Sequence, residues 1–65
     1  MSYKQDVIDY LEIEYELNKA LAEELVERRK SIIIYCQEMR SFPYYAADEI
    51  MRAEDKNLSD YEKKS

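Results

Sequence analysis

Acidic side chains recur at helical spacing along the first half of the sequence. Glu12 and Glu16, and again Glu23 and Glu27, lie four residues apart, so a helix would place each pair on one face. Paired carboxylates can bind a hard cation or contribute to a di-metal centre in a helix bundle. Such di-metal centres also use histidine, which this chain lacks. We therefore interpret these four residues, together with Asp9, as a solvated acidic face and expect no metal site.

The single cysteine, Cys36, is the only candidate nucleophile of high intrinsic reactivity. A nucleophilic cysteine needs a neighbouring base such as histidine. Without one, its position among apolar residues predicts an inert core side chain. The chain also has no glycine, which excludes a glycine-rich phosphate loop. We expect a protein that is not an enzyme and has no cofactor.

The run Arg28-Arg29-Lys30 is the most basic segment of a chain whose net charge is −5. On a helix, Arg28 and Lys30 point in different directions, so the run does not form one patch. Binding to DNA, RNA or an anionic membrane needs a positive field, which the net charge opposes. No apolar run approaches the ~20 residues of a membrane span. These observations predict a cytoplasmic protein that does not bind membranes, and they disfavour nucleic acid as its partner.

The positions of the apolar residues predict one long helix from about residue 3 to residue 40. Ser2 and Gln5 have the spacing of a capping box at its start. A helical period of 3.6 residues aligns one stripe, whose members are Val7, Leu11, Asn18, Leu21, Ala22, Leu25, Ile32, Cys36 and Met39. The segment Ser31–Cys36 also has strand composition, but no second strand is available to pair with it. A break of the helix near Ser31 remains open.

Pro43 predicts the start of a second helix, from about residue 43 to residue 56, because proline suits the first helical turn. This helix would fold back on the first, giving an all-α helical hairpin in which Ile50 covers Ile34. We expect a single helical domain at residues 1–58. Residues 59–65 would form a short last turn or a frayed tail.

The unequal lengths of these two predicted helices favour a homodimer. The second helix would span only ~21 Å and could not cover the apolar residues before Ala22. Two copies crossing antiparallel would cover them, with Glu14 of one chain near Arg28 or Arg29 of the other and Asn18 selecting the register. The predicted interface is Val7, Leu11, Glu14, Asn18, Leu21, Ala22, Leu25, Arg29, Ile32 and Cys36. A parallel or higher assembly, a monomer and a hetero-complex remain alternatives.

Three aromatic residues, Phe42, Tyr44 and Tyr45, surround the single proline. Aromatic side chains are enriched at protein interfaces, so this turn predicts a partner-binding site. The tyrosines on the first half of the long helix could form a second contact surface or part of the dimer seam; they are Tyr3, Tyr10 and Tyr15.

The predicted function is that of an adaptor, inhibitor or anti-repressor that occludes a partner protein. In style alone, such short, acidic, glycine-free helical chains resemble accessory proteins of phages and mobile elements. A nucleic-acid-associated regulator and an acidic mimic of nucleic acid are the alternatives.

Overall fold

The computed structural model describes the backbone of residues 2–64 and the side chains of residues 2–55. Within residues 2–64 it contains no strand and four helices, which are α1 (Tyr3–Glu14), α2 (Lys19–Arg28), α3 (Lys30–Glu38) and α4 (Pro43–Lys64). The all-α prediction is confirmed. The predicted two-helix hairpin is wrong, because the segment from 3 to 40 forms three helices rather than one.

Helix α1 begins where the sequence predicts. Ser2 is its N-cap, and the Ser2 hydroxyl oxygen accepts a hydrogen bond of 3.1 Å from the backbone N–H of Gln5. This bond satisfies one of the free amides of the first turn. The side chain of Gln5 donates to Asp9 at 3.0 Å instead of returning to Ser2. One of the two bonds of a capping box is therefore present.

The first junction, residues 15–18, separates α1 from α2 and is the main departure from the predicted long helix. Glu16 has φ 54°, in the left-handed region that non-glycine residues seldom occupy. Asn18 is the N-cap of α2, and its side-chain oxygen accepts a bond of 2.8 Å from Leu21 N–H. Asn18 thus has a local role in starting a helix, whereas the sequence pattern suggested that it selects a dimer register.

A single residue, Arg29, separates α2 from α3. Its φ of −106° and ψ of 37° are not helical, although its N–H still donates to Leu25 O at 2.9 Å. The chain therefore bends here, close to the break near Ser31 that the sequence left open. Helix α3 covers Ser31–Cys36, so the strand alternative for that segment is wrong.

The second junction, residues 39–42, reverses the chain between α3 and α4. Arg40 has φ 58°. The N–H of Ser41 donates to Cys36 O at 2.9 Å and that of Arg40 to Gln37 O at 3.1 Å, which is the bonding pattern of a Schellman motif. Pro43 then begins α4, as predicted.

Helix α4 ends at Lys64 and so extends beyond its predicted end near residue 56. It packs mainly on α1 and α3. The predicted division of the chain into residues 1–58 and 59–65 stays a prediction. Nowhere in residues 2–64 does a helix combine the length and the apolar composition needed to cross a membrane.

The core is built from all four helices of one chain. Its buried residues are Val7, Ile8, Leu11, Ala22, Leu25, Val26, Ile33, Cys36, Ala46, Ala47 and Ile50. They include five residues of the predicted dimer interface. The premise of that prediction, that only a second chain could cover these residues, is thus removed. The prediction that Ile50 covers Ile34 is also wrong, because Ile34 is 49 % exposed, although Ile50 is fully buried.

Candidate functional site

Four aromatic rings form a continuous row across the surface where α1 meets the start of α4. We call Tyr15, Tyr10, Tyr44 and Phe42 the aromatic row. Neighbouring ring centroids are 6.3 Å apart for Tyr15 and Tyr10, 6.1 Å for Tyr10 and Tyr44, and 5.6 Å for Tyr44 and Phe42. These are distances at which aromatic pairs attract one another. The row therefore joins the predicted aromatic turn to tyrosines of the first half of the chain.

The row is most exposed at its Phe42 end. Phe42 is 68 % exposed and Tyr44 is 47 % exposed, and their rings stack with an angle of only 10° between their planes. Tyr10 is partly buried against the core. The row thus has one end anchored in the fold and one end open to an incoming molecule.

A strong hydrogen bond holds the Tyr15 end. The Tyr15 hydroxyl donates to Asp48 Oδ1 at 2.6 Å. This bond, followed by burial and the charge of Asp48, raises the pKa of Tyr15 to about 12. Burial and the same carboxylate also raise the pKa of Tyr10. Both tyrosines are therefore neutral at physiological pH, and the hydroxyl of Tyr15, the C-cap of α1, is bonded to the second turn of α4.

Tyr3 holds the opposite end of the row. Its hydroxyl donates to Ser41 O at 2.8 Å, and Phe42 O lies 3.2 Å from the same oxygen. Burial raises the pKa of Tyr3, so this donor also stays protonated at physiological pH. The start of α1 is thereby bonded to the backbone segment that carries Phe42, which fixes the position of the exposed ring.

Tyr45, the third residue of the predicted aromatic turn, faces a different surface. It lines a groove of about 410 Å³ between α3 and α4, together with Ser31, Ile32, Tyr35, Cys36 and Glu49. We call this the α3–α4 groove. Cys36 is buried at its floor, and burial raises the pKa of its thiol. A raised pKa disfavours the nucleophilic thiolate. The structure thus brings Phe42 and Tyr44 together and separates Tyr45 from them.

The predicted acidic face does not form one line, because the first junction divides it between two helices. Asp9 and Glu12 lie on α1, Glu16 lies in the junction, and Glu23 and Glu27 lie on α2. Glu27 forms an ion pair with Lys4, so the two helices run antiparallel. This contact lowers the pKa of Glu27. In the part of the chain whose side chains are described, no three acidic, cysteine or histidine side chains are close enough to hold a metal ion.

Two residues of the basic run, Arg28 and Arg29, form ion pairs with Glu54, which the sequence interpretation overlooked. Glu54 Oε1 accepts from Arg28 at 2.7 Å, and Glu54 Oε2 accepts from Arg29 at 2.6 Å and 3.0 Å. The hydrogen bonds from Arg29 are the main cause of the lowered pKa of Glu54. Arg29, which was predicted to pair with Glu14 of a second chain, therefore has its partner within its own chain.

The remaining residues of the predicted dimer interface lie at or near the surface. Glu14, Asn18 and Leu21 are exposed, and Ile32 is partly buried against the core. Asp48 and Glu54 were the functional contacts missed by sequence reasoning, and both depend on the path of α4. No protein-family model, curated protein or solved structure matches this chain.

Proposed function

We propose that this protein acts by stoichiometric binding to another protein through the aromatic row. The observation that carries the proposal is the stacked pair of Phe42 and Tyr44, exposed beside the second junction. Large aromatic side chains are enriched among the few residues that dominate binding energy in protein interfaces. An exposed, stacked pair of this kind gains most when a partner removes it from water.

The row is organised before any partner arrives. Tyr3 bonds the backbone next to Phe42, and Tyr15 bonds Asp48 at the other end. Aromatic side chains have only two rotatable side-chain bonds, and here neighbouring rings restrict them further. Binding therefore orders few additional groups, which lowers the entropic cost of association.

Acidic groups around the row indicate the character of the partner. Asp48 and Glu14 are close enough to Tyr10 to raise its pKa, and the whole chain carries a net charge of −5. A partner surface that presents apolar groups with lysine or arginine at its margin would be complementary. Its approach would be accelerated by the charge of this protein.

Aromatic rows also stack nucleic-acid bases, but such sites combine stacking with a positive groove. Here the net charge is negative, and Glu54 occupies both Arg28 and Arg29. The division of the acidic face between α1 and α2 likewise weakens the idea of a nucleic-acid mimic. A protein partner is the better-supported proposal, and the mode of action is occlusion, as expected of an adaptor, inhibitor or anti-repressor.

We also propose that the protein is not an enzyme, has no cofactor and works in the cytoplasm. The proposal includes a homodimer as well, but the aromatic row is complete within one chain and needs no second copy. The buried thiol of Cys36 and the absence of histidine support the non-catalytic part. The negative net charge supports the expectation that membranes and nucleic acid are not its targets.

Affinity capture from source cells, followed by titration with the purified captured protein, tests this function. We expect Phe42→Ala combined with Tyr44→Ala to weaken binding at least about thirtyfold, because hot-spot aromatics contribute about 2 kcal/mol or more. The matched control is Tyr35→Ala, which removes a 63 % exposed tyrosine outside the row and should leave the affinity nearly unchanged.

Two results would contradict the proposal. One is unchanged affinity for the captured protein after the double substitution in the row. The other is binding to duplex DNA at physiological salt that weakens when Arg28 and Arg29 become alanine, which would favour the nucleic-acid alternative.

A further inference from the structure

The first junction is a sharp turn made without glycine or proline. Glu16 is exposed and has φ 54°. Glycine adopts this conformation freely, whereas for any residue with a Cβ atom it is unfavourable. Tyr15, Leu17 and Asn18 complete the junction. None of the four residues prevents a helix from continuing through this segment.

The apolar residues on both sides of the junction remain in phase with one continuous helix. Leu11 on α1 and Ala22 on α2 are both fully buried, and their separation of 11 residues corresponds to about three helical turns. Straightening the junction would therefore join α1 and α2 into one amphipathic helix with a single buried face. That helix would carry α1 away from its own α4.

We propose that the first junction is a hinge and that two copies of this chain exchange α1 to form a domain-swapped dimer. In the dimer, α1 occupies on the other copy the place that it has in the monomer. The core contacts of α1, the bond from Tyr3 to Ser41 and the pair of Lys4 with Glu27 are then made between chains. Strained turns at helix–helix hinges favour such exchange, because opening releases the strain while the contacts of the exchanged helix are made again on the other copy.

The geometry of the swapped dimer follows from the monomer. Lys4 meets Glu27, so the two continuous helices cross antiparallel at the first junction. The result is an antiparallel homodimer, but its register differs from the sequence-based one, which placed Glu14 of one chain near Arg28 or Arg29 of the other. This inference concerns the homodimer included in the proposed function. It does not depend on the aromatic row, because the association needs no partner protein.

Lys19→Pro is the variant that separates the two states. Lys19 is the first residue of α2, where proline is well tolerated, and Asn18 before it has ψ 162°, which is compatible with a following proline. In a continuous helix, the proline ring would clash with the carbonyl of residue 15. The variant therefore keeps the monomer and forbids the swapped dimer, while Lys19→Ala permits both.

Sedimentation of the full chain over a range of concentrations measures the outcome. We expect a concentration-dependent dimer for the wild type and for Lys19→Ala, and a folded, helical monomer alone for Lys19→Pro. Glu16→Gly is a second variant that relaxes the turn and disfavours the continuous helix. Because each dimer contains two hinges, it should raise the dimer Kd at least about tenfold. A wild-type chain that stays monomeric at about 1 mM overturns the proposal.

Zero-length cross-linking of Lys4 to Glu27 distinguishes exchange from simple docking. Chains with natural and with heavy nitrogen are mixed, refolded together and treated with a carbodiimide. A swapped dimer gives cross-linked peptides with one light and one heavy partner, beside the uniform ones that come from dimers of two light or two heavy chains. An isolated dimer that gives only uniform cross-links, or a dimer that survives both Lys19→Pro and Glu16→Gly, would show another interface and contradict the exchange of α1.

Discussion

The two junctions of this protein have the same backbone strain but different support. Glu16 in the first junction and Arg40 in the second both take left-handed conformations, with φ of 54° and 58°. The second junction closes with two hydrogen bonds onto α3, receives the Tyr3 hydroxyl and is followed by Pro43. The first junction closes onto α1 through the N–H groups of Tyr15 and Leu17, which donate to Leu11 O at 3.2 Å and 3.5 Å. It also has an N-cap at Asn18 and the Tyr15 bond to Asp48, but no proline follows it.

The difference assigns the two junctions different roles. The second is encoded locally and fixed from several sides, so it can present Phe42 and Tyr44 in one orientation. The first is kept closed mainly by tertiary contacts, namely the packing of α1 on α2 and α4 and the Tyr15 bond to Asp48. A rigid junction suits a binding surface, because pre-organisation lowers the cost of association. A junction held by packing suits a hinge. The predictions below test this contrast, from the largest expected effect to the smallest.

Removing the packing of α1 should have the largest effect. Leu11 is fully buried, and Leu11→Ala should lower the free energy of unfolding by about 2–5 kcal/mol, since it deletes buried volume from the core. The same substitution at Leu21, which is exposed, is the control and should cost less than about 1 kcal/mol. Urea unfolding measures both. Equal losses at the two positions would contradict the view that α1 packing holds the first junction closed.

The contact between α4 and the bend at Arg29 should have the next largest effect. Glu54→Gln removes charge-assisted hydrogen bonds to Arg28 and Arg29, with an expected loss of about 1–2 kcal/mol. The lowered pKa of Glu54 means that this stabilisation is present at neutral pH and is lost as the pH falls through that pKa. Unfolding midpoints measured from neutral to acidic pH should therefore decline less steeply in the variant.

The exposed pair of Glu49 and Arg52 provides the control for this prediction. Their side chains lie on one face of α4 with the Arg52 nitrogen 2.9 Å from the Glu49 oxygen, and they are 74 % and 35 % exposed, respectively. Both are more exposed than Glu54, so Glu49→Gln should have a smaller effect. If Glu49→Gln and Glu54→Gln changed the acid dependence of stability equally, the special role of Glu54 would be excluded.

Removing the Tyr3 hydroxyl tests how much its hydrogen bond to the second junction stabilises the fold. Tyr3→Phe keeps the ring and removes the bond to Ser41 O, with an expected loss of about 1 kcal/mol in the free energy of unfolding. Tyr10→Phe is the matched control, because no hydrogen bond from the Tyr10 hydroxyl is present in the described part of the chain. Thermal and chemical unfolding of both variants provide the comparison. An equal effect of both would argue that the hydroxyl of Tyr3 does not stabilise the second junction.

Relieving the two strained residues should have the smallest effect on stability. Glu16→Gly and Arg40→Gly should each raise the free energy of unfolding by about 0.5–1 kcal/mol, equivalent to roughly 2–8 °C in Tm. Calorimetry measures the gain. A loss of stability in either variant would show that the side chain replaced makes contacts that outweigh the strain. If Glu16→Gly changes self-association and Arg40→Gly does not, the result supports the view that the first junction, and not the second, is the hinge.

Those features of the fold that depend on local signals were predictable from the sequence. Ser2 gave the start of α1 and Pro43 the start of α4, since a side-chain cap and a fixed φ act within a few residues. The predicted apolar stripe contains five of the eleven buried core residues. The aromatic turn was recognised too, although Tyr45 belongs to the α3–α4 groove rather than to the aromatic row.

The first junction could not be predicted from helical periodicity, because the apolar residues on both sides stay in phase. Asn18 carried a usable signal, since asparagine is among the preferred N-cap residues, but its place on the stripe suggested a different role. Ile34 was expected to be covered, and its exposure depends on how α4 crosses α3. The links from Glu54 to Arg28 and from Asp48 to Tyr15 likewise require the path of α4, which local sequence does not specify.

Nuclear magnetic resonance titration with the captured partner tests the central claim that the rigid second junction presents the binding surface. We predict that the largest changes in chemical shift occur at Phe42, Tyr44 and Tyr10 as the partner is added. Residues of the α3–α4 groove, such as Tyr35 and Ile32, should change little. Changes concentrated in that groove, with the aromatic row unaffected, would contradict the account.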